Sequence, residues 1–183
     1  KDEPLYGHYL ATTGAPHPGR DELIEILETD ARKIVDDVIL GSCDRPVLFM
    51  KQMVHHLTED LDLTFLDRCV NVLLIRDPAE VIASLVHQLP EPTMRDVGLE
   101  RQMVLYEDLR ARGQEPPVID ARHLLLDPEH VLRELCGRVG IDWDPATRIL
   151  RLRNNSTLTL GGGTGYLEHL AREHAHRSAR AGI

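Results

Sequence analysis

The sequence predicts an α/β fold with a mainly parallel sheet flanked by helices. Three observations carry that expectation. Short apolar runs such as "NVLLI" (71–75) and "PPVID" (116–120) have strand length, not helix length. Longer segments with near-helical apolar spacing separate them, as in "RDELIEILETDARKIVDDVIL" (20–40). Several of these segments open with helix-start chemistry, notably Asp77-Pro78 and Asp127-Pro128. Strands that alternate with helices build parallel sheets, and ligands of such sheets bind at the carboxyl ends of the strands.

In chain order, residues 20–40 predict one helix whose apolar stripe is Leu23, Ile24, Leu27, Ile34, Val35 and Val38. "RPVLFMK" (45–51) predicts a buried strand after a turn signal. "LTEDLDLTFLDRC" (57–69) reads as helical, and "NVLLI" as the next buried strand. "PAEVIASLVHQL" (78–89) reads as a helix with Pro78 in its first turn, where a missing N–H has no consequence. The pattern breaks at "LPEPTMRDVGL". It resumes with a helix over 99–113 that Gly113 ends as a C-cap. A strand at about 117–120 follows, then a helix from Asp127 to Gly140 with Asp127 as N-cap.

The chain's 183 residues suit one domain with a real core. Apolar residues make up 42% and charged residues 28%, the composition of a soluble globular protein. No apolar run approaches the ~20 residues that span a bilayer, and the chain does not open on a secretory signal. It does not open with Met either, which fits a fragment, a processed form or a rearranged order. The net charge of −9 argues against general nucleic-acid binding but leaves room for a local basic pocket. Cys43, Cys69 and Cys136 are odd in number and lack C-x-x-C spacing, so they read as packing residues in a reducing, cytoplasmic setting. Neither a nucleic-acid nor a membrane partner is expected. The sequence does not fix oligomeric state, and a homodimer is compatible with it.

The run from 71 to 88 poses the functional question. Its strand ends on Arg76, turns on Asp77-Pro78 and restarts as a helix that carries Ser84, eight residues after the arginine. A guanidinium at a strand end offers a planar fork of donors to a phosphate, and a helix start adds free N–H groups. On residue chemistry alone, the favoured reading is Arg76 pairing with Asp77 and Ser84 as a small packing residue. R-D-P-A-E-V-I-A-S resembles the segment of sulfotransferases that holds the 3′-phosphate of 3′-phosphoadenosine 5′-phosphosulfate (PAPS), and Arg76 and Ser84 match that pattern residue by residue. "DEPLYGHYL" (2–10), "FMKQMVHHL" (49–57), "IRDPAEVIASL" (75–85) and the stretch 116–145 together resemble a bacterial sulfotransferase-like group of P-loop proteins. The resemblance implies a P-loop NTPase-like sulfotransferase architecture, PAPS as co-substrate, a small-molecule acceptor and no metal.

Sulfuryl transfer needs a base for the acceptor's proton and a cation beside the leaving oxygen. Lys51 ends a predicted strand, and His55 and His56 follow it. Many sulfotransferases place Lys-x-His there; here the order is K-Q-M-V-H-H, so either histidine, or neither, takes the base role. His8 is a further candidate base and Glu3 another, since the "DEP" segment lines the acceptor side in the resembled family. The bland readings are a surface or capping role for the histidines and a turn at Glu3-Pro4.

No G-x-x-x-x-G-K-(S/T) occurs anywhere. The resembled family carries its phosphate loop ahead of the "DEP" segment, where this sequence begins. Three expectations follow. In the first, the loop lies outside this chain, and the glycine run with Gly162, Gly163, Thr164 and Gly165 resembles the C-terminal segment that closes over the 3′-phosphate. In the second, the order is circularly permuted: "RILRL" is the first strand, Arg153-Asn-Asn-Ser156-Thr157-Leu is the phosphate loop, and "YLEHLAREHAHRS" is a helix leading back towards Lys1. In the third, GGGTG is a glycine turn before a terminal helix. Two rival functions stay open. One is an ATP-dependent P-loop phosphotransferase, which would need Mg²⁺ and a carboxylate such as Asp120. The other is a catalytically inactive nucleotide-binding protein of the same fold.

Overall fold

The computed structural model describes residues 1–144 apart from 18, 45 and 88–90. The expectations placed on "RILRL", Arg153, Ser156, Thr157, Gly162, Gly163, Thr164, Gly165 and the terminal helix lie outside the described residues. In chain order the helices are α1 (Tyr6–Thr13), α2 (Arg20–Ile26), α3 (Ala31–Lys33), α4 (Pro78–Leu85), α5 (Met94–Val97), α6 (Leu99–Ala111), α7 (Ala121–Leu126) and α8 (Pro128–Val139). The strands are β1 (Leu73–Ile75) and β2 (Val118–Asp120). Among the described residues two compact units result: 1–71 with 98–116, and 72–97 with 117–144.

The first unit is mostly helical. Its core is Leu5, Leu10, Ile34 and Leu109, each about 1% exposed. The 20–40 segment is not one helix. Glu28 Oε1 accepts from the N–H groups of Thr29 (3.0 Å) and Asp30 (2.9 Å), and Asp30 then caps α3 through Arg32 and Lys33. These local side-chain bonds outcompete helix continuation. The second half runs from α3 into a π-helical turn over Ile34–Ile39. The 57–69 segment is likewise shorter than expected, a 3₁₀ turn at Leu63–Arg68 capped by Asp62, and another 3₁₀ turn covers Val54–His56.

The expected strand at 45–51 does not form as a strand. Phe49 is 67% and Val47 45% exposed, so the apolar run is not enclosed, and Pro46 has no N–H for a ladder. The backbone pairs only at its end. The Lys1 amino group donates to Phe49 O (2.8 Å), Lys51 N–H to Lys1 O (3.2 Å) and Glu3 N–H to Lys51 O (2.8 Å), forming a parallel bridge between Asp2 and Lys51. That bridge brings the "DEP" segment beside Lys51.

In the second unit β1 and β2 pair in parallel, with Leu73 opposite Val118, Leu74 opposite Ile119 and Ile75 opposite Asp120. Among the described residues this two-stranded pair is the whole sheet, narrower than the mainly parallel sheet expected, with helices following each strand. Asp77 caps α4 by accepting from Ala79 N–H (2.8 Å), with Pro78 in the first turn. Asp120 caps α7, a helix the sequence did not announce. Asp127 and Pro128 start α8, and Gly140 (φ 72°) ends it. Gly113, at φ 81°, follows the end of α6 as expected.

Candidate active site

Two groups of polar and charged side chains stand out as candidates, one in each unit. In the second unit, a shallow cleft of about 240 Å³ opens at the carboxyl ends of β1 and β2. Arg76, Asp77 and Glu80 line it from the β1–α4 side, and Asp120 and Arg122 from the β2–α7 side. Arg76 Nε donates to Glu80 Oε2 at 3.1 Å. Among the described residues its two terminal nitrogens have no partner. Arg122 Nη2 reaches Asp77 Oδ2 at 3.4 Å. Glu80 and Ser84 are one turn apart on α4, whereas Arg76 precedes the helix cap and Ser84 is not among the residues lining the cleft. Ser84 is half-buried. The sequence named Arg76, Ser84 and, for another role, Asp120. It missed Glu80 and Arg122, although Asp120's strand-end position already placed residue 122 near the same sheet edge.

In the first unit, buried Glu3 and His56 form a polar cluster with half-buried Lys51 and Gln52. Lys51 Nζ donates to Glu3 Oε1 and lies 3.9 Å from Asp2 Oδ1. Glu3 is 8% exposed, and burial pushes its carboxyl up while the Lys51 contact pulls the other way. Gln52 fixes the histidine's tautomer. Its Oε1 accepts from Leu5 N–H (3.2 Å), so its amide nitrogen faces His56 Nδ1 at 2.9 Å and donates to it. His56 therefore carries its proton on Nε2. Burial, then His55 and Lys51, holds its pKa down to about 2. His56 Nδ1 is also 4.0 Å from Glu3 Oε2, but a neutral ring with Nδ1 as acceptor makes no ion pair there. The rings of Tyr6 and Tyr9 lie 5.1 and 4.7 Å from His56, and His55 lies edge-on to it at 4.6 Å. Burial also raises the Tyr6 hydroxyl's pKa.

His8 belongs to a different hydrogen-bond set. Nδ1 lies 3.1 Å from the Thr29 carbonyl, which only accepts, so Nδ1 carries the proton. Nε2 meets Thr58 Oγ1 at 3.1 Å, with Asp60 Oδ2 at 3.7 Å. Both ring nitrogens thus tie α1 to neighbouring segments. Lys51 and His56 come together with Glu3, and His55 lies edge-on to His56; His8 does not join their hydrogen bonds. Asp120, the metal-holding candidate of the phosphotransferase reading, accepts from Arg122 N–H at 2.7 Å. No set of three His, Cys, Asp or Glu side chains among the described residues is grouped to hold a metal ion.

Across residues 1–163 the chain matches the family model described as a sulfotransferase domain. The chain belongs to the sulfotransferase-domain family. Two Arabidopsis thaliana proteins, branched-chain-amino-acid aminotransferase-like proteins 1 and 2, are 36% and 33% identical to it over 140 residues. That alignment covers 76% of this chain and 25% of each relative, so the chain spans about a quarter of their length. No solved structure matches. The family match runs through both units and includes Glu3, Lys51, Arg76 and Ser84. No described helix is long and apolar enough to cross a membrane.

Proposed function

We propose that this sulfotransferase-domain chain moves a sulfuryl group from PAPS to a hydroxyl or amine of a small molecule. The carrying observation is Arg76. It stands at the carboxyl end of a parallel strand, is held by one edge, and opens its terminal nitrogens where the family's R-D-P segment meets its helix. Arg76 and Ser84 bind the 3′-phosphate of the donor. Residues 1–183 act as one domain of this kind. When bound, PAPS supplies the activated sulfuryl group. Lys51 offsets charge on the oxygen that leaves. Glu3 is an acceptor-only group with its pKa pushed up by burial, which suits it to take the acceptor's proton. His56 steadies the cluster from its neutral state, and His55 and His8 remain the alternative bases. Three free cysteines fit a reducing, cytoplasmic setting.

Calorimetric titration tests the reading. Adenosine 3′,5′-bisphosphate should bind more tightly than adenosine 5′-phosphate or ATP·Mg. Arg76→Ala should weaken the bisphosphate by about tenfold or more, the scale of one lost charged hydrogen bond. The same change should barely alter adenosine 5′-phosphate binding. Equal losses for both nucleotides would mean that Arg76 does not read the 3′-phosphate. Preference for ATP·Mg would favour a phosphotransferase, and bisphosphate binding without sulfate transfer to hydroxyl or amine acceptors would favour an inactive binding protein.

A further inference from the structure

Arg122 lines the same cleft as Arg76, and the donor site as proposed gives it no role. The two residues are 46 apart in sequence by subtraction of their numbers. They meet because β1 and β2 are paired in parallel with Ile75 opposite Asp120, so the chain leaves both strands at the same edge. Each guanidinium is held by one carboxylate through one nitrogen: Arg76 by Glu80 at 3.1 Å and Arg122 by Asp77 at 3.4 Å. Among the described residues the other side-chain nitrogens of both arginines have no partner. Asp77 does two jobs at once. Its Oδ1 caps α4 and its Oδ2 orients Arg122.

The three carboxylates of the cleft are already engaged, Asp120 and Asp77 as helix caps and Glu80 with Arg76. They do not converge as a cation site. What the cleft still offers is N–H donors on two guanidiniums that line it together, the groups that suit a phosphate.

We infer that Arg122 is a second phosphate-binding residue of this cleft, acting with Arg76, and that Asp77 positions it. The inference rests on the nucleotide reading of the Arg76 site and adds one residue to it. It gives the aspartate of R-D-P a reason beyond capping. The Asp77→Asn variant would still cap α4, because asparagine is as good an N-cap as aspartate, but it would lose the charge that holds Arg122.

Arginine Nε–H resonances report the two side chains separately, so inorganic phosphate titrated into the intact ¹⁵N-labelled chain is the first probe. The Arg76 and Arg122 signals should move together and saturate at the same phosphate concentration. In parallel, adenosine 3′,5′-bisphosphate is titrated into wild type, Arg76→Ala, Arg122→Ala and Asp77→Asn. Arg122→Ala should weaken binding roughly five- to tenfold, less than Arg76→Ala because Arg122 is the more exposed of the two. Asp77→Asn should weaken it about two- to threefold while leaving thermal stability near wild type. Movement of Arg76 alone, or an Arg122→Ala affinity within about twofold of wild type, overturns the inference and leaves the Arg76 reading standing. If neither arginine signal moves and the bisphosphate does not bind, both fail together.

Discussion

Glu3 adopts φ 43°, a left-handed value uncommon for a residue with a side chain, and it does so while 8% exposed. Such backbone persists where surrounding structure over-determines it, and functional sites collect it. The determinant here is visible: Glu3 N–H bonds to Lys51 O, and the carboxylate returns to Lys51 Nζ. Lys51→Met would leave a buried carboxylate without its cation. It should cost about 2–4 kcal/mol in urea unfolding, and adding Glu3→Gln should restore part of that loss. If the double variant is as unstable as the sum of the single ones, the pair is not coupled. His56 gives a pH prediction of definite sign. Its folded pKa lies below the unfolded 6.5, so the unfolded chain binds the proton more readily and stability falls as pH drops below 6.5. At about pH 5 the His56 share is about 2 kcal/mol relative to neutral pH. Glu3, raised above 4.5, works in the opposite direction and offsets part of it. His56 ring resonances should not titrate between about pH 8 and 4, and His56→Gln should flatten the acid loss. A His56 titration near 6.5 would remove the claim. Sequence could flag Lys51, His56 and Glu3 by type and by place at element ends. It could not flag Gln52, because an amide acquires meaning only once Leu5 N–H and His56 fix which end points where.

At the scale of elements, α1 is held against the turn at 27–29 with no slack. A Cβ on Gly7 would sit 2.5 Å from Glu28 O and 2.8 Å from Leu27 Cβ. Gly7→Ala must therefore push the helix from that turn and loosen the His8–Thr29 hydrogen bond. Overpacking of this kind costs about 1–3 kcal/mol. Urea unfolding should show the loss, and exchange of the α1 amides should quicken; an alanine variant as stable as wild type would mean the turn yields freely. The elements legible in sequence were those whose signals were local and agreed. Asp77-Pro78 and Asp127-Pro128 combine a cap with a proline at the first position, and both helices begin there. "NVLLI" and "PPVID" contain strands because each run finds a partner in the other. Periodicity misled at 20–40, where apolar spacing continued through Glu28-Thr29-Asp30 while side-chain bonds to backbone broke the helix. It misled again at 45–51, where an apolar run implied burial but Phe49 and Val47 face solvent.

At the scale of the whole molecule, a net charge of −9 has to be reconciled with a proposed ligand that is itself strongly anionic. Two fields of different range act on adenosine 3′,5′-bisphosphate. The overall charge repels it over distances comparable to the Debye length, about 30 Å at 0.01 M salt and about 8 Å at 0.15 M. The arginines attract it only at contact, because the three carboxylates lining the cleft (Asp77, Glu80 and Asp120) outnumber the two guanidiniums and leave no net positive field farther out. Approach is therefore governed by the repulsive long-range term and residence by the short-range contacts. Raising salt from about 0.02 to 0.15 M should screen repulsion first and raise the association rate about two- to threefold. The dissociation rate should change less, because contact hydrogen bonds are screened less. Arg76→Ala should act mainly on dissociation and leave the rising salt trend of association in place. Stopped-flow kinetics at several salt concentrations would check both. An association rate that falls with salt would mean that the cleft's own positive potential reaches well beyond contact, and that the acidic remainder of the molecule does not set how the nucleotide arrives.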